Sequence, residues 1–212
     1  MDIAILLYDR FTALDAIGPY ETLGRVPEAT VTFVAAETGP VRTDQGSLAI
    51  VADATLDDVA HPDILVVPGG PGTEQAMGDE PTLAWIRTAH ETSQWTTSVC
   101  TGSLILAAAG ILDGVPATSH WQAFEILELL GAVPTHERVV IDGKIVTAAG
   151  VSAGIDMGLT LAARLAGDQV AQGIQLGIEY DPQPPFNAGS PNTAPAEVVE
   201  SMWAASRFRQ TA

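Results

Sequence analysis

At 212 residues with 47% hydrophobic side chains, the chain is long enough to bury a substantial core, which excludes a largely disordered protein. Its 26 acidic against 9 basic residues give a formal charge of -17, so a nucleic-acid backbone would be repelled rather than neutralised. The single cysteine allows neither an intrachain disulfide nor a Cys-x-x-Cys metal or redox pair, in keeping with a reducing, cytoplasmic setting.

Residues 2–8, DIAILLY, form a nearly continuous apolar run and predict a strand buried on both faces, as parallel sheets covered by helices require. Further strands are predicted at 31–36, 63–67 and 96–99. Helices are predicted between and after them, over 17–23, 82–92 (with Leu83, Trp85 and Ile86) and 121–130, where apolar residues recur at helical spacing. Alternation of this kind predicts a doubly wound α/β sheet. After Gly131 a hairpin is expected, 136–141 with 144–147, joined at Asp142-Gly143, a dipeptide suited to the positive φ angles of a tight turn. Gly150-Val-Ser-Ala-Gly154 opens a helix over 155–165, and another follows at 168–178.

The stretch 181–191 contains four prolines in eleven residues and reads as a connector. Thr193-Ala-Pro-Ala-Glu197 then offers a cap, a proline near the helix start and an acidic first turn for a last helix running to about Arg207. No apolar run approaches the roughly 20 residues that span a bilayer. The amino terminus lacks a basic leader and a cleavage site, so neither membrane insertion nor export is expected. With no repeat or second-domain linker, the expectation is one domain over 1–212, in which 181–212 form a proline-rich connector and terminal helix.

Ser98-Val-Cys100-Thr-Gly-Ser103 places the cysteine where the strand ending at Val99 meets a helix beginning near Thr101. A sharp strand-to-helix turn exposes a nucleophile above an α/β sheet. Free helix N–H groups there are expected to lower the thiol pKa, and Gly102 to leave room for a close approach from outside. The competing expectation is a buried structural cysteine.

Val66-Val-Pro-Gly-Gly-Pro-Gly72 follows a strand with a glycine turn that can aim backbone N–H groups into the crevice at the sheet's carboxyl edge. Neither a phosphate loop nor G-x-G-x-x-G is present, so no nucleotide is expected. Asp15 sits in the loop after the first strand, just before a helix. It is either an N-cap or, if the first strand lies beside the one ending at Cys100, a carboxyl in the same crevice that shares a proton with the thiol. His120 begins a helix, its ring either satisfied by backbone or directed to the site. His61, His90 and His136 show no metal-ligand spacing, so no metal is expected.

The phrases LDAIGPYE, VVPGGPG, SVCTGSLILAAAGILDG, ATSHW, HERVVIDG, TAAGVSAGID and PPFNAGSPNTAPA run through almost the full length. On these the chain resembles the ThiJ/PfpI superfamily, relatives of the class I glutamine amidotransferases, and within it the isocyanide (isonitrile) hydratases. The resemblance implies a flavodoxin-like three-layer α/β/α sandwich with a mostly parallel sheet, a homodimer, and Cys100 as a nucleophile on its elbow with Asp15 as acidic partner. It implies further that the N–H groups of Gly70 and Thr101 line an anion pocket and that His120 lies near it. Thr101 stands where amidotransferase-like and protease-like relatives have histidine, which argues against those activities.

The implied reaction adds water to an isocyanide carbon through a Cys100 thioimidate, giving an N-substituted formamide with no metal, nucleotide or redox cofactor. Trp121, Ile155 and Phe186 are candidate pocket walls beside His120. The tail is expected to contribute to the dimer, because an extended Phe186 gains little unless buried. Two other functions stay open. One is a ligand- or oxidation-sensing module, since sensing domains of some AraC-type regulators share Cys-Thr-Gly and His-Trp; the other is glyoxalase- or deglycase-type chemistry on reactive carbonyls. A sensor normally carries an output domain, and no basic helix-turn-helix is present in this chain.

Overall fold

The computed structural model describes residues 1–208, so the last four residues of the expected tail, 209–212, lie outside the described residues. In chain order the elements are β1 (Asp2–Leu6), α1 (Ala13–Leu23), β2 (Thr30–Ala35), β3 (Gly39–Arg42), β4 (Ala49–Ala52), β5 (Ala54–Thr55), β6 (Ile64–Val67), α2 (Thr73–Met77) and α3 (Glu80–Thr92). They continue with β7 (Trp95–Val99), α4 (Gly102–Ala108), β8 (Pro116–Ala117), α5 (Phe124–Leu129), β9 (Val133–Pro134), β10 (Val139–Asp142), β11 (Ile145–Ala148), α6 (Ala153–Ala166), α7 (Asp168–Gly177) and α8 (Ala196–Ala204).

Seven strands form one sheet in the order β10-β11-β7-β6-β1-β2-β5, parallel throughout except for the β10-β11 hairpin. Its central strands β1, after Asp2, and β6 read as continuous apolar runs because both faces are covered. Along β1, Ala4 and Leu6 join one core with Leu65, Val67, Ile86 and Leu104, while Ile3 and Ile5 join the other with Val66, Val99, Val146 and Met157. Helices thus pack on both sides, the doubly wound sheet predicted by the alternating elements and the flavodoxin-like sandwich implied by the family resemblance. α1 and α6 lie so close that a Cβ on Gly158 would sit 1.8 Å from Thr22 Oγ1; glycine here is a packing requirement, and it holds α1 against the sheet.

The chain passes from β1 to β2 on one side and then returns to β6 on the other. This reversal opens a crevice at the carboxyl ends of β1 and β6, into which the segments after β1, β6 and β7 converge.

Several boundaries differ from expectation. Asp142 pairs with Ile145, so the hairpin turn is Gly143-Lys144, one position later than Asp142-Gly143, with Gly143 at φ 54°. A glycine in the first turn position suits the mirror-image turns that match strand twist. The segment 121–130 is a 3-10 turn at Trp121–Ala123 followed by α5. α8 starts at Ala196 with Pro195 in the cap position, and Thr193 donates its hydroxyl to Ser190 O instead of capping the helix. The β3-β4 hairpin and α2 were not legible as regular elements. No helix among the described residues is long and apolar enough to cross a membrane.

Candidate active site

Cys100 follows β7 directly and adopts φ 59°, in the left-handed region that residues with a Cβ rarely occupy. Its surroundings impose this conformation. The Cys100 N–H donates to Ala148 O at 3.0 Å and Ala149 O at 3.2 Å, and its carbonyl accepts from Ser103 Oγ at 3.2 Å and Ser119 Oγ at 3.1 Å. A Cβ on Gly102 would lie 2.0 Å from Val67 O, so this glycine is required by the close pass over β6 rather than by a molecule approaching from outside. The strand-turn-helix elbow read from the sequence is present.

Asp15 is not an N-cap. It lies in the first turn of α1, with Thr12 at the cap position and no side-chain cap bond. Nor does β1 neighbour β7, because β6 runs between them; α1 itself brings the carboxyl near enough that thiol and carboxyl each shift the other's titration. Asp15 is fully buried. Its Oδ2 accepts from Gly69 N–H at 2.9 Å, while Oδ1 has no hydrogen-bond partner. Burial raises its pKa to about 7 against the lowering effects of the Gly69 N–H and the Cys100 thiol, and the charge of Asp44 adds to the rise. A carboxyl that holds its proton near neutral pH beside a thiol is equipped to donate it.

The thiol itself departs from expectation. Burial first, and the Asp15 charge second, push Cys100 upward; the N–H groups of Thr101 and Val151 act in the expected direction and are outweighed. α4 has only seven residues, so its terminal dipole is short, and Cys100 is 5% exposed. Charge on Asp15 thus disfavours charge on the thiol, which holds its proton, and the carboxyl holds its own up to about pH 7.

The N–H of Gly70 donates to Thr101 Oγ1 at 3.0 Å and is therefore engaged within the chain, whereas the Thr101 N–H faces the sulfur. Val151 supplies the second amide, with φ 23°. Nothing in TAAGVSAGID marked it, because its contribution is a backbone group. Tyr8 was also missed. Its hydroxyl donates to Pro68 O at 2.8 Å and lies 3.2 Å from Thr73 Oγ1, which is 2.8 Å from Thr101 Oγ1, so a run of hydroxyls ties the glycine turn to the elbow.

His120 adopts the backbone-satisfied arrangement, its Nδ1 accepting from Gln122 N–H at 3.3 Å. Burial and then the charge of Arg207 lower its pKa, leaving a neutral ring. His120 and Trp121 join Ser119, Phe124, Gly150 and Val151, with residues 189–192 of the tail, in lining an open cavity of about 470 Å³ beside the elbow; Cys100 and Asp15 are not part of its lining. Two expected walls are elsewhere. Phe186 is 78% exposed, and Ile155 packs against α1 at Gly18. Among the described residues, no group of three or more His, Cys, Asp or Glu side chains is arranged to hold a metal ion.

A cysteine on a left-handed elbow above a parallel sheet, with a proton-holding aspartate near it, is the site arrangement of an α/β protein built around a buried thiol. The chain belongs to the DJ-1/PfpI family, whose model matches residues 1–164. It is 44% identical over 200 residues to the isonitrile hydratase of Pseudomonas putida, spanning 94% of this chain and 87% of that protein. A narrower match, 34% over 152 residues, covers 69% of this chain but 43% of the HTH-type transcriptional regulator CdhR of Pseudomonas aeruginosa. The crystal structure of a ThiJ/PfpI family protein from Pseudomonas syringae is 45% identical, with a TM-score of 0.92 over 95% of this chain and 84% of that one.

Proposed function

We propose that this chain is an isocyanide hydratase that converts an isonitrile and water to an N-substituted formamide through a thioimidate on Cys100. The observation that carries the reading is the buried Asp15 carboxyl, its Oδ1 unpartnered and its proton retained to about pH 7, against the only cysteine. Near full-length similarity to an isonitrile hydratase supports it.

An isocyanide carbon bears a lone pair and accepts a soft nucleophile, so it needs a proton and a thiolate at the same atom. Asp15 gives its proton to that carbon as the sulfur attacks, and takes up the thiol proton. The S–H bond is thereby added across the carbon, giving the S–CH=N thioimidate. The Thr101 and Val151 N–H groups face the sulfur and stabilise the negative charge that passes through it. Water then adds to the same carbon with Asp15 relaying its proton to nitrogen, and collapse of the tetrahedral adduct releases the formamide and restores the thiol.

The substrate is uncharged and the site is buried, so no charge has to be desolvated on binding. The apolar N-substituent occupies the cavity walled by Trp121 and Phe124. A homodimer that covers the tail is part of this proposal, supported by the exposure of Phe186 (78%) and Met202 (50%). So are a single functional domain and a cytoplasmic setting, the latter supported by the lone, disulfide-incapable cysteine.

The test is to supply cyclohexyl isocyanide and follow the formamide by proton NMR. Cys100→Ala is expected to abolish turnover, and turnover that survives it would remove the proposed nucleophile.

A further inference from the structure

α8 buries none of its residues fully, yet it is pinned to the site. Gln122 Nε2 donates to Met202 O at 2.8 Å, and Trp203 stands edge-on to Trp121 at 5.2 Å and 84°. Beyond the helix, Phe208 is half-buried in a groove between α2 and α5, against Met77, Leu104 and Ile126. These two anchors bracket Arg207. Its guanidinium lies 4.6 Å from the Phe208 ring, and Nη2 donates to Gly70 O at 2.7 Å. Gly70 is the residue whose N–H holds Thr101 Oγ1. A cation from the far end of the chain is thus fastened to the turn that shapes the nucleophile's elbow, with an aromatic stack and a charge-assisted hydrogen bond offsetting the entropy of ordering a long side chain.

We propose that Arg207 is a positioning residue for Cys100: held at the Gly70 carbonyl by α8 and Phe208, it fixes the glycine turn and sets a positive charge opposite the thiolate that forms during attack. The inference rests on the assignment of Cys100 as nucleophile made above. Its physical basis is the hydrogen bond to the Gly70 carbonyl, together with the mutual attraction by which charge on Cys100 favours the charged guanidinium. The ionisable groups converging here are Asp15 from α1, Tyr8 and Arg10 from the segment after β1, Glu74 from α2 and His120 before α5. Burial, with Arg10 beside it, lowers the Arg207 pKa, and negative charge on Cys100, Tyr8 or Glu74 opposes that fall.

The test is the rate of Cys100 alkylation by iodoacetamide as a function of pH, on the full-length chain, with kcat and KM for cyclohexyl isocyanide measured separately. Alkylation requires no isocyanide, so inactivity of the wild type toward that substrate would overturn the hydratase assignment without touching this result. Arg207→Gln is expected to slow alkylation at pH 8 by about three- to tenfold, the effect of one partly screened charge, and to move the rate–pH curve upward in pH. Arg207→Lys, which keeps the charge, is expected to recover most of the rate. Phe208→Ala, which frees the guanidinium without removing it, is expected to slow alkylation by a smaller factor. A wild-type curve for Arg207→Gln would overturn the proposal, a lysine variant as slow as the glutamine variant would overturn the charge assignment, and an unaffected Phe208→Ala would overturn the clamp.

Discussion

Replacing Asp15 by asparagine removes the proton donor from the reaction and stabilises the fold above neutral pH. The Asp15 pKa is raised from 3.8 to about 7, so the native state holds a proton that the unfolded chain releases. The stability associated with this proton is fully present below about pH 4 and is lost as the pH rises through about 7. A rise of about three pH units at 1.36 kcal/mol each puts the full loss on the order of 4 kcal/mol. By pH 5 about one unit of it is already incurred, so the difference between pH 5 and pH 8 is about 2 to 3 kcal/mol. Asparagine has the same shape, keeps an oxygen for the Gly69 N–H and does not titrate. Urea unfolding of both proteins at the two pH values isolates the carboxyl, because every other group is common to both. The asparagine variant is expected to gain about 2 to 3 kcal/mol relative to wild type on going from pH 5 to pH 8 while its turnover falls by roughly a hundredfold or more. A stability difference independent of pH would refute the claim that burial holds the proton on Asp15.

Three further outcomes follow from the same geometry. The kcat/KM for isocyanide is expected to fall as pH rises through about 7, where the Asp15 carboxyl loses its proton, and this limb is expected to vanish in Asp15→Asn; a profile still flat at pH 9 would contradict proton donation by this residue. Trp121→Ala, which opens the cavity wall, is expected to raise KM for cyclohexyl isocyanide by about tenfold with a smaller effect on kcat, measured by initial rates; an unchanged KM would place the substituent elsewhere. Gly102→Ala drives a methyl group into the Val67 carbonyl and is expected to destabilise by about 3 kcal/mol or more in denaturant unfolding, and full stability would contradict the close pass of the elbow over β6.

What the sequence disclosed followed the kind of signal each residue carries. The β1 run DIAIL and its neighbour ILVV announced a two-sided parallel sheet because, after Asp2, successive side chains pointing to both faces are apolar. The elbow was legible because a strand pattern ending at Val99 runs straight into a helix pattern beginning near Thr101, and the structure shows φ 59° at the cysteine between them. Asp15 was recognisable as a carboxyl near the site but not as a helical residue, since the reach of α1 depends on its packing against α6 at Gly158, a contact from far along the chain. The direction of the thiol pKa was misread for a related reason: the helix-end argument is local, whereas desolvation is a property of the whole enclosure. Val151, Tyr8 and Arg207 were silent because an amide, a strand-end phenol and a tail arginine acquire meaning only once the topology brings them to the elbow.

The most direct measurement is the mass of the protein quenched within milliseconds of mixing with cyclohexyl isocyanide. A transient species heavier by one whole isocyanide, mapped to the peptide bearing Cys100 and decaying at the rate at which formamide appears, is the expected result. Formamide release with no such adduct, or with an adduct that forms and decays too slowly to account for turnover, would contradict covalent attack by Cys100.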